Sequence, residues 1–101
     1  MDAIDRFLRY VTYDTQSDEH SDTAPSTEKQ KVLGQALADE LGQLGLHKAH
    51  MDEHGYVYAW LPATPGREGI PCGGLIAHMD TSPDAPGAGV NPRIGRYEGG
   101  D

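Results

Sequence analysis

The chain has 101 residues and a formal net charge of −8, with 16 acidic against 8 basic side chains. Its length allows one small domain at most, and a hydrophobic content of 37% predicts a marginal core, because globular domains typically contain about 45–50% apolar residues on a slightly different count that includes glycine. The excess of negative charge argues against nucleic acid or an anionic membrane as a partner, because either would be repelled.

A first amphipathic helix is predicted at the start of the chain. Apolar side chains recur with the helical period of about 3.6 residues from Ile4 to Val11, which predicts a helix over residues 2–12 with one apolar face. The polar segment 13–25 has no such period and is predicted to be a loop in which His20 is solvated.

A second helix is predicted after this loop, with Ser26 or Thr27 as its N-cap residue. Thr27 and Gln30 have the spacing of a capping box, in which side chains satisfy free backbone groups at a helix N-terminus. Apolar residues then continue the stripe to Leu44. Gly45 is the predicted stop, because glycine readily adopts the left-handed conformation that ends many helices.

Strands are predicted in the second half of the chain. The polar stretch 46–52 is interpreted as a half-exposed edge strand or a turn, and Gly55 with the alternation after it favours a hairpin. Residues 56–61 carry the aromatic and β-branched side chains typical of a strand. For the aromatic stripe of that strand we expect packing in the core rather than stacking on a ligand. The stripe consists of Tyr56, Tyr58 and Trp60.

A further strand is predicted directly before the most distinctive motif of the chain. The short apolar run 73–77, bounded by glycines, is consistent with a buried strand of an α/β sheet. Residues 62–71 form the loop that leads to it, and a short strand over 93–97 is an open possibility. The order of elements predicts an α/β sheet with helices packed against it.

His78 and Asp80 follow this apolar run, where α/β sheets commonly present function. An imidazole and a carboxylate two residues apart can share one side of an extended backbone. Asp80 can then join His78 on a metal ion, or it can accept a hydrogen bond from the ring and fix its tautomer. The alternative is that the histidine and the aspartate cap the turn that begins at residues 81–84.

The spacing alone is not specific, because the triplet His50-Met51-Asp52 repeats it without a preceding apolar run. The spacings of His50 to His47 and to His54 would suit a metal only on a helix. Because a hairpin is predicted there, we interpret these side chains as solvated.

The apolar stretches, the N-terminal residues and the cysteine content bear on cellular location and thiol chemistry. No stretch approaches the roughly 18 apolar residues of a membrane span, and the acidic start Met1-Asp2-Ala3-Ile4-Asp5 is unlike a secretion signal. A cytoplasmic location is therefore expected. The single cysteine, Cys72, cannot form an internal disulfide, and its place before the apolar run predicts a buried, inert thiol.

Five segments of the chain carry a family resemblance. They are Arg6-Phe7-Leu8-Arg9-Tyr10-Val11, Asp14-Thr15-Gln16-Ser17, Pro25-Ser26-Thr27-Glu28, His78-Met79-Asp80-Thr81-Ser82-Pro83-Asp84 and Asn91-Pro92. Through them the whole chain resembles the N-terminal part of the tripeptide aminopeptidases in the M20 family of di-zinc metallopeptidases.

The resemblance implies that residues 1–101 are the N-terminal part of a catalytic domain, with a partial zinc-peptidase-like sheet flanked by helices. It implies a cytoplasmic hydrolase that releases the N-terminal residue of tripeptides and dimerises through a lid domain absent from this chain. His78 is implied as the first zinc ligand, and Asp80 as the catalytic-site carboxylate that holds its ring.

The same resemblance places the bridging aspartate, the general-base glutamate and the other ligands of the two zinc ions beyond Asp101. A catalytic zinc usually needs three protein ligands, so this chain alone is expected to be inactive, and also poorly stable because later strands are missing. Two other hypotheses for the function remain. One is a sister M20 exopeptidase, a dipeptidase or a deacylase, although residues 81–84 favour the tripeptidase branch. The other is a non-catalytic metal-binding or interaction module.

Overall fold

A computed structural model describes residues 2–100 of the chain. The elements run in the order α1 (Ala3–Tyr10), α2 (Gln30–Gln43), β1 (His47–Met51) and β2 (Val57–Trp60). The result is a mixed α/β arrangement of two helices and a two-stranded antiparallel sheet. In this part of the chain no helix is long and apolar enough to cross a membrane.

Helix α1 begins at a capping box that its own acidic residues form. The Asp2 carboxylate accepts the Asp5 backbone N–H at 2.8 Å, and the Asp5 carboxylate accepts the Asp2 N–H at 3.2 Å. Val11 closes the helix at its C-terminal end, which confirms the helix predicted over residues 2–12. Its apolar stripe remains largely uncovered, since Ile4 and Phe7 are 63% and 64% exposed.

Helix α2 begins later than the predicted capping box. Lys29 occupies the cap position without a side-chain hydrogen bond to the helix, and the Gln30 amide donates to the Thr27 hydroxyl at 2.9 Å. The Thr27 hydroxyl itself donates to the Gln16 carbonyl at 2.9 Å. The capping box was therefore the wrong interpretation of this pair, because the Thr27 hydroxyl donates to the preceding loop and accepts from the Gln30 side chain, not from a backbone N–H of α2.

The end of α2 is as predicted. Gly45 has φ of +91°, and the Leu46 N–H returns to the Leu41 carbonyl at 3.1 Å while the Gly45 N–H binds the Gly42 carbonyl at 3.0 Å. This pair of hydrogen bonds satisfies carbonyl groups that the helix leaves free.

Strands β1 and β2 form the predicted hairpin. His50 pairs with Tyr58 and Met51 with Val57, and α2 packs closely against this sheet. At Gly34 on α2, an added Cβ would lie 2.7 Å from the Met51 sulfur. The helix therefore approaches β1 more closely than any residue with a side chain would permit without movement.

The aromatic stripe of the hairpin lies on its outer face, so the prediction of core packing was wrong. Tyr56, Tyr58 and Trp60 are 54%, 44% and 47% exposed. The less exposed face of β2 carries Val57 and Ala59 instead. The His50 ring stacks on the outer stripe, with centroids 5.5 Å from Tyr58 and 6.0 Å from Trp60.

The run 73–77 does not form the predicted buried strand. Leu75 and Ile76 are fully exposed, at 104% and 101%, and nothing lies within 4 Å of a Cβ built on Gly73 or Gly74. A strand needs a neighbouring edge for its hydrogen bonds, and residues 2–100 bring none to this segment. The possible strand over 93–97 is likewise not formed, and Cys72 is exposed rather than buried.

Apolar packing in the described residues is correspondingly slight. Leu33 and Ala38, both on α2, are the hydrophobic residues buried there. An open groove of about 1430 Å³ separates α1, α2 and β2 from segment 75–90. The marginal core expected from composition is confirmed.

A polar cluster, rather than apolar packing, joins the two helices. Arg6 and Tyr10 on α1 both donate hydrogen bonds to the carboxylate of Glu40 on α2, and an Arg9 guanidinium nitrogen lies 3.6 Å from the same carboxylate. The hydrogen bonds from Tyr10 and Arg6 hold the pKa of Glu40 below its ordinary value. Burial, together with the Glu40 contact, raises the pKa of Tyr10.

We predict that Glu40→Gln lowers the thermal midpoint of the protein near pH 7. Because the pKa of Glu40 is lowered in the folded state, its ionised form stabilises the fold. That contribution is fully present above the ordinary glutamate pKa of about 4.3, and it is lost as the pH falls through the lower folded-state pKa.

Circular dichroism melts from pH 7 to acid pH measure this effect, with Glu53→Gln as the control. The Glu53 side chain is 87% exposed, so its substitution should leave the midpoint unchanged. An equal midpoint for Glu40→Gln and wild type at pH 7 would contradict the assigned role of the cluster.

Candidate metal-binding site

The segment that carries His78 and Asp80 is attached to the rest of the chain at Thr81. The Thr81 N–H donates to the Thr15 carbonyl at 3.1 Å, and the Ser17 N–H donates to the Thr81 carbonyl at 2.9 Å. These bonds form a parallel β-bridge between Gln16 and Thr81. The two candidate residues therefore lie directly before an anchored point, on the wall of the open groove.

The structure brings His78 and Asp80 into direct contact. His78 Nδ1 lies 3.0 Å from Asp80 Oδ1 and also 3.0 Å from the Asp80 backbone carbonyl. An ionised carboxylate and a carbonyl are both acceptors only, so Nδ1 must carry the proton. A neutral His78 ring in this arrangement leaves its lone pair on Nε2.

The free nitrogen is accessible. The His78 side chain is 84% exposed, whereas Asp80 behind it is 41% exposed. Of the two arrangements open from the sequence, the pair has the one in which the carboxylate contacts the back of the ring. This is the common second partner of a metal-binding histidine, because it fixes the tautomer and raises the basicity of the ligating nitrogen.

The alternative that His78 and Asp80 cap the following turn does not hold, because Ser82 and Asp84 make the local hydrogen bonds of that turn. The Ser82 hydroxyl accepts the Asp84 N–H at 3.2 Å and donates to the Asp84 carboxylate at 3.1 Å. His78 and Asp80 contact each other instead. The local hydrogen bonds of this turn therefore do not account for the imidazole–carboxylate pair.

The second triplet, His50-Met51-Asp52, makes no such pair. His50 Nδ1 lies 2.7 Å from the Lys48 carbonyl, and the Asp52 carboxylate accepts the N–H groups of His54 and Tyr56, each at 2.9 Å. The Asp52 carboxylate is bound within the hairpin turn, and it makes no hydrogen bond with the His50 ring. The same spacing thus gives two different structures, and context decides between them.

The donor set available for a metal is small. Within residues 2–100, no three His, Cys, Asp or Glu side chains lie close enough together to hold an ion. A catalytic zinc usually has three protein ligands. His78, with its exposed Nε2 and its carboxylate partner, fits the role of one ligand, and a complete site needs donors from elsewhere.

Gln16 is a site residue to which the sequence analysis assigned no role. Its side-chain amide donates to the Pro83 carbonyl at 3.0 Å, and its amide oxygen accepts the Gly87 N–H at 3.2 Å. Gly87 permits this approach, since an added Cβ would lie 2.7 Å from Asp14 Oδ1 and 3.0 Å from Gln16 Cβ. Segment 14–17 stood among the shared segments, but no local pattern links it to residues 83–87.

Comparison with known proteins gives a consistent match. The chain is 50% identical over 101 residues to Peptidase T of Clostridium acetobutylicum, covering 99% of this chain and 24% of that protein. It is 52% identical to Peptidase T of Parabacteroides distasonis, covering 100% of this chain and 25% of that protein. Peptidase T of Caldanaerobacter subterraneus subsp. tengcongensis is 52% identical over 100 residues.

These matches agree with the resemblance found from the sequence. The chain spans about a quarter of the length of these relatives, and the match fits an N-terminal portion of Peptidase T. No protein-family model matches the chain.

We predict that neutral His78 is mainly the Nδ1–H tautomer. Long-range ¹H–¹⁵N NMR spectra of the metal-free protein distinguish the two ring nitrogens directly. Asp80→Ala removes one of the two acceptors, so the share of the Nδ1–H tautomer should fall. The ring signals of His20, whose side chain is 87% exposed, serve as the control and should not change.

A dominant Nε2–H tautomer of His78 in the wild-type protein would contradict this geometry, because Nε2 would then have no lone pair for a metal.

Proposed function

We propose that this chain is the N-terminal part of the catalytic domain of a zinc-dependent tripeptide aminopeptidase. The observation that carries the proposal is the His78–Asp80 pair, with its hydrogen bond at Nδ1 and an exposed Nε2. Similarity to proteins named Peptidase T over nearly the whole chain supports the same reading.

The chemistry of the pair follows from its geometry. Asp80 accepts a hydrogen bond from Nδ1, so in the neutral ring the lone pair lies on Nε2 and is available to a metal. Zinc held by such ligands would lower the pKa of a bound water and stabilise the oxyanion of an attacked peptide carbonyl. His78 and Asp80 are thus the residues of this chain that would hold the metal, directly and through the ring.

Other parts of the proposal rest on the resemblance. They are a pair of zinc ions, a cytoplasmic location and a homodimer formed through a lid domain. The remaining metal ligands and the general base would come from residues outside this chain.

A sister exopeptidase of the same family is the second candidate. A dipeptidase or a deacylase would use the same His78–Asp80 pair, so the choice depends on the substrate and not on this site. A panel of one dipeptide, one tripeptide and one N-acyl amino acid separates them. A non-catalytic module would bind zinc through His78 and hydrolyse none of the three.

We predict that the natural protein, meaning the complete enzyme of which this chain would be the N-terminal part, releases the N-terminal residue of trialanine. A chelator should abolish this activity until zinc is restored. His78→Ala should lower kcat/KM by more than about 100-fold, because loss of a ligand should exceed the roughly 10–100-fold effect of losing its hydrogen-bond partner. Asp80→Ala should fall within that lower range.

His50→Ala is the matched control, because it changes the histidine of the other His-x-Asp triplet and should leave kcat/KM near the wild-type value. Retained activity in His78→Ala would refute the assigned ligand, and wild-type protein inactive on trialanine at every zinc concentration would refute the proposed reaction.

A further inference from the structure

We propose that Gln16 is a positioning residue for the metal-binding segment, an inference that rests on the proposed function. Both polar ends of its side chain bind the segment that follows the site. The amide nitrogen donates to the Pro83 carbonyl and the amide oxygen accepts the Gly87 N–H. The backbone on both sides of Gln16 pairs with Thr81.

The residues around Gln16 connect it to the helical part of the chain. Its carbonyl accepts the Thr27 hydroxyl at 2.9 Å, and the adjacent Thr15 is only 3% exposed. Asp14 forms an ion pair with Lys29 at 3.0 Å. The lysine hydrogen bond holds the pKa of this carboxylate below its ordinary value. Gln16 therefore links segment 81–87 to a region fixed to the start of α2.

The position of His78 depends on this link because the chain before it is unsupported. Leu75 and Ile76 are fully exposed, and the hydrogen bonds of His78 within residues 2–100 go to Asp80 alone. Thr81 is the first following residue that is bonded to a distant part of the chain. An anchor at residues 81–87 consequently sets where the imidazole can lie.

A metal site is sensitive to such an anchor. Ligands must be held within about 0.5 Å of the required geometry, and loss of outer hydrogen-bonding partners typically weakens metal affinity by about 10–100-fold. A glutamine that fixes a backbone segment acts less directly than a partner of the ligand itself. We therefore expect an effect of about tenfold, at the lower end of that range.

The test compares Gln16→Met, Gln16→Glu and the control Gln35→Met in the natural protein. Gln16→Met keeps the approximate shape of the side chain and removes both hydrogen bonds. Gln16→Glu keeps the acceptor for Gly87 but places a second acceptor against the Pro83 carbonyl. Gln35 is exposed on α2, and its amide binds only Asp39 among the described residues, at 3.0 Å.

Two measurements separate positioning from simple stabilisation. Hydrogen exchange of the metal-free protein should become faster in residues 81–87 for Gln16→Met, and zinc titration of the folded protein should show about tenfold weaker affinity. Gln16→Glu should weaken affinity in the same direction, and Gln35→Met should match wild type. A structural role alone would lower the thermal midpoint while leaving the zinc affinity of the folded protein unchanged.

The outcomes also distinguish this inference from the proposed function. Wild-type protein that binds zinc and hydrolyses trialanine, together with unchanged zinc affinity in both Gln16 variants, would overturn the positioning role and leave the proposed function standing. Wild-type protein that binds no zinc would overturn both.

Discussion

The candidate site depends on two backbone hydrogen bonds at Thr81. One joins its N–H to the Thr15 carbonyl at 3.1 Å, and the other joins its carbonyl to the Ser17 N–H at 2.9 Å. Each such bond contributes only about 0.5–1.5 kcal/mol net, yet together with Gln16 they attach segment 81–87 to the rest of the described chain. The imidazole–carboxylate pair lies immediately before that attachment, so its orientation follows from contacts made by neighbouring residues.

Because apolar packing in the described chain is slight, the arrangement of its segments depends strongly on polar contacts. Leu33 and Ala38 are the buried hydrophobic residues of the described chain, while Leu75 and Ile76 are fully exposed. Burial of a leucine or isoleucine side chain typically stabilises a fold by about 1.5–3 kcal/mol, which these two residues do not contribute here. The helices are instead joined by the buried Glu40 carboxylate and its donors Arg6 and Tyr10.

Local sequence patterns predicted the elements whose causes are local. The period of α1, the glycine after α2 and the hairpin at Gly55 all rest on neighbouring residues. The contact between His78 and Asp80 was one of the alternatives that the sequence left open. Features that depend on distant residues were missed. Segment 73–77 has no strand edge to pair with. The predicted capping box does not form, because the Thr27 hydroxyl binds the Gln16 carbonyl. Helix α2 covers the face of the sheet opposite the aromatic stripe. The side chain of Gln16 reaches Pro83, a distance in sequence that no spacing rule covers.

The most direct test of the proposed metal site is a crystal structure of the natural protein with zinc, with the metal located by its anomalous scattering. We predict a zinc ion about 2.0–2.1 Å from His78 Nε2, with Nδ1 still in contact with Asp80. A zinc ion bound by other residues, with the His78 ring directed into solvent, would contradict it.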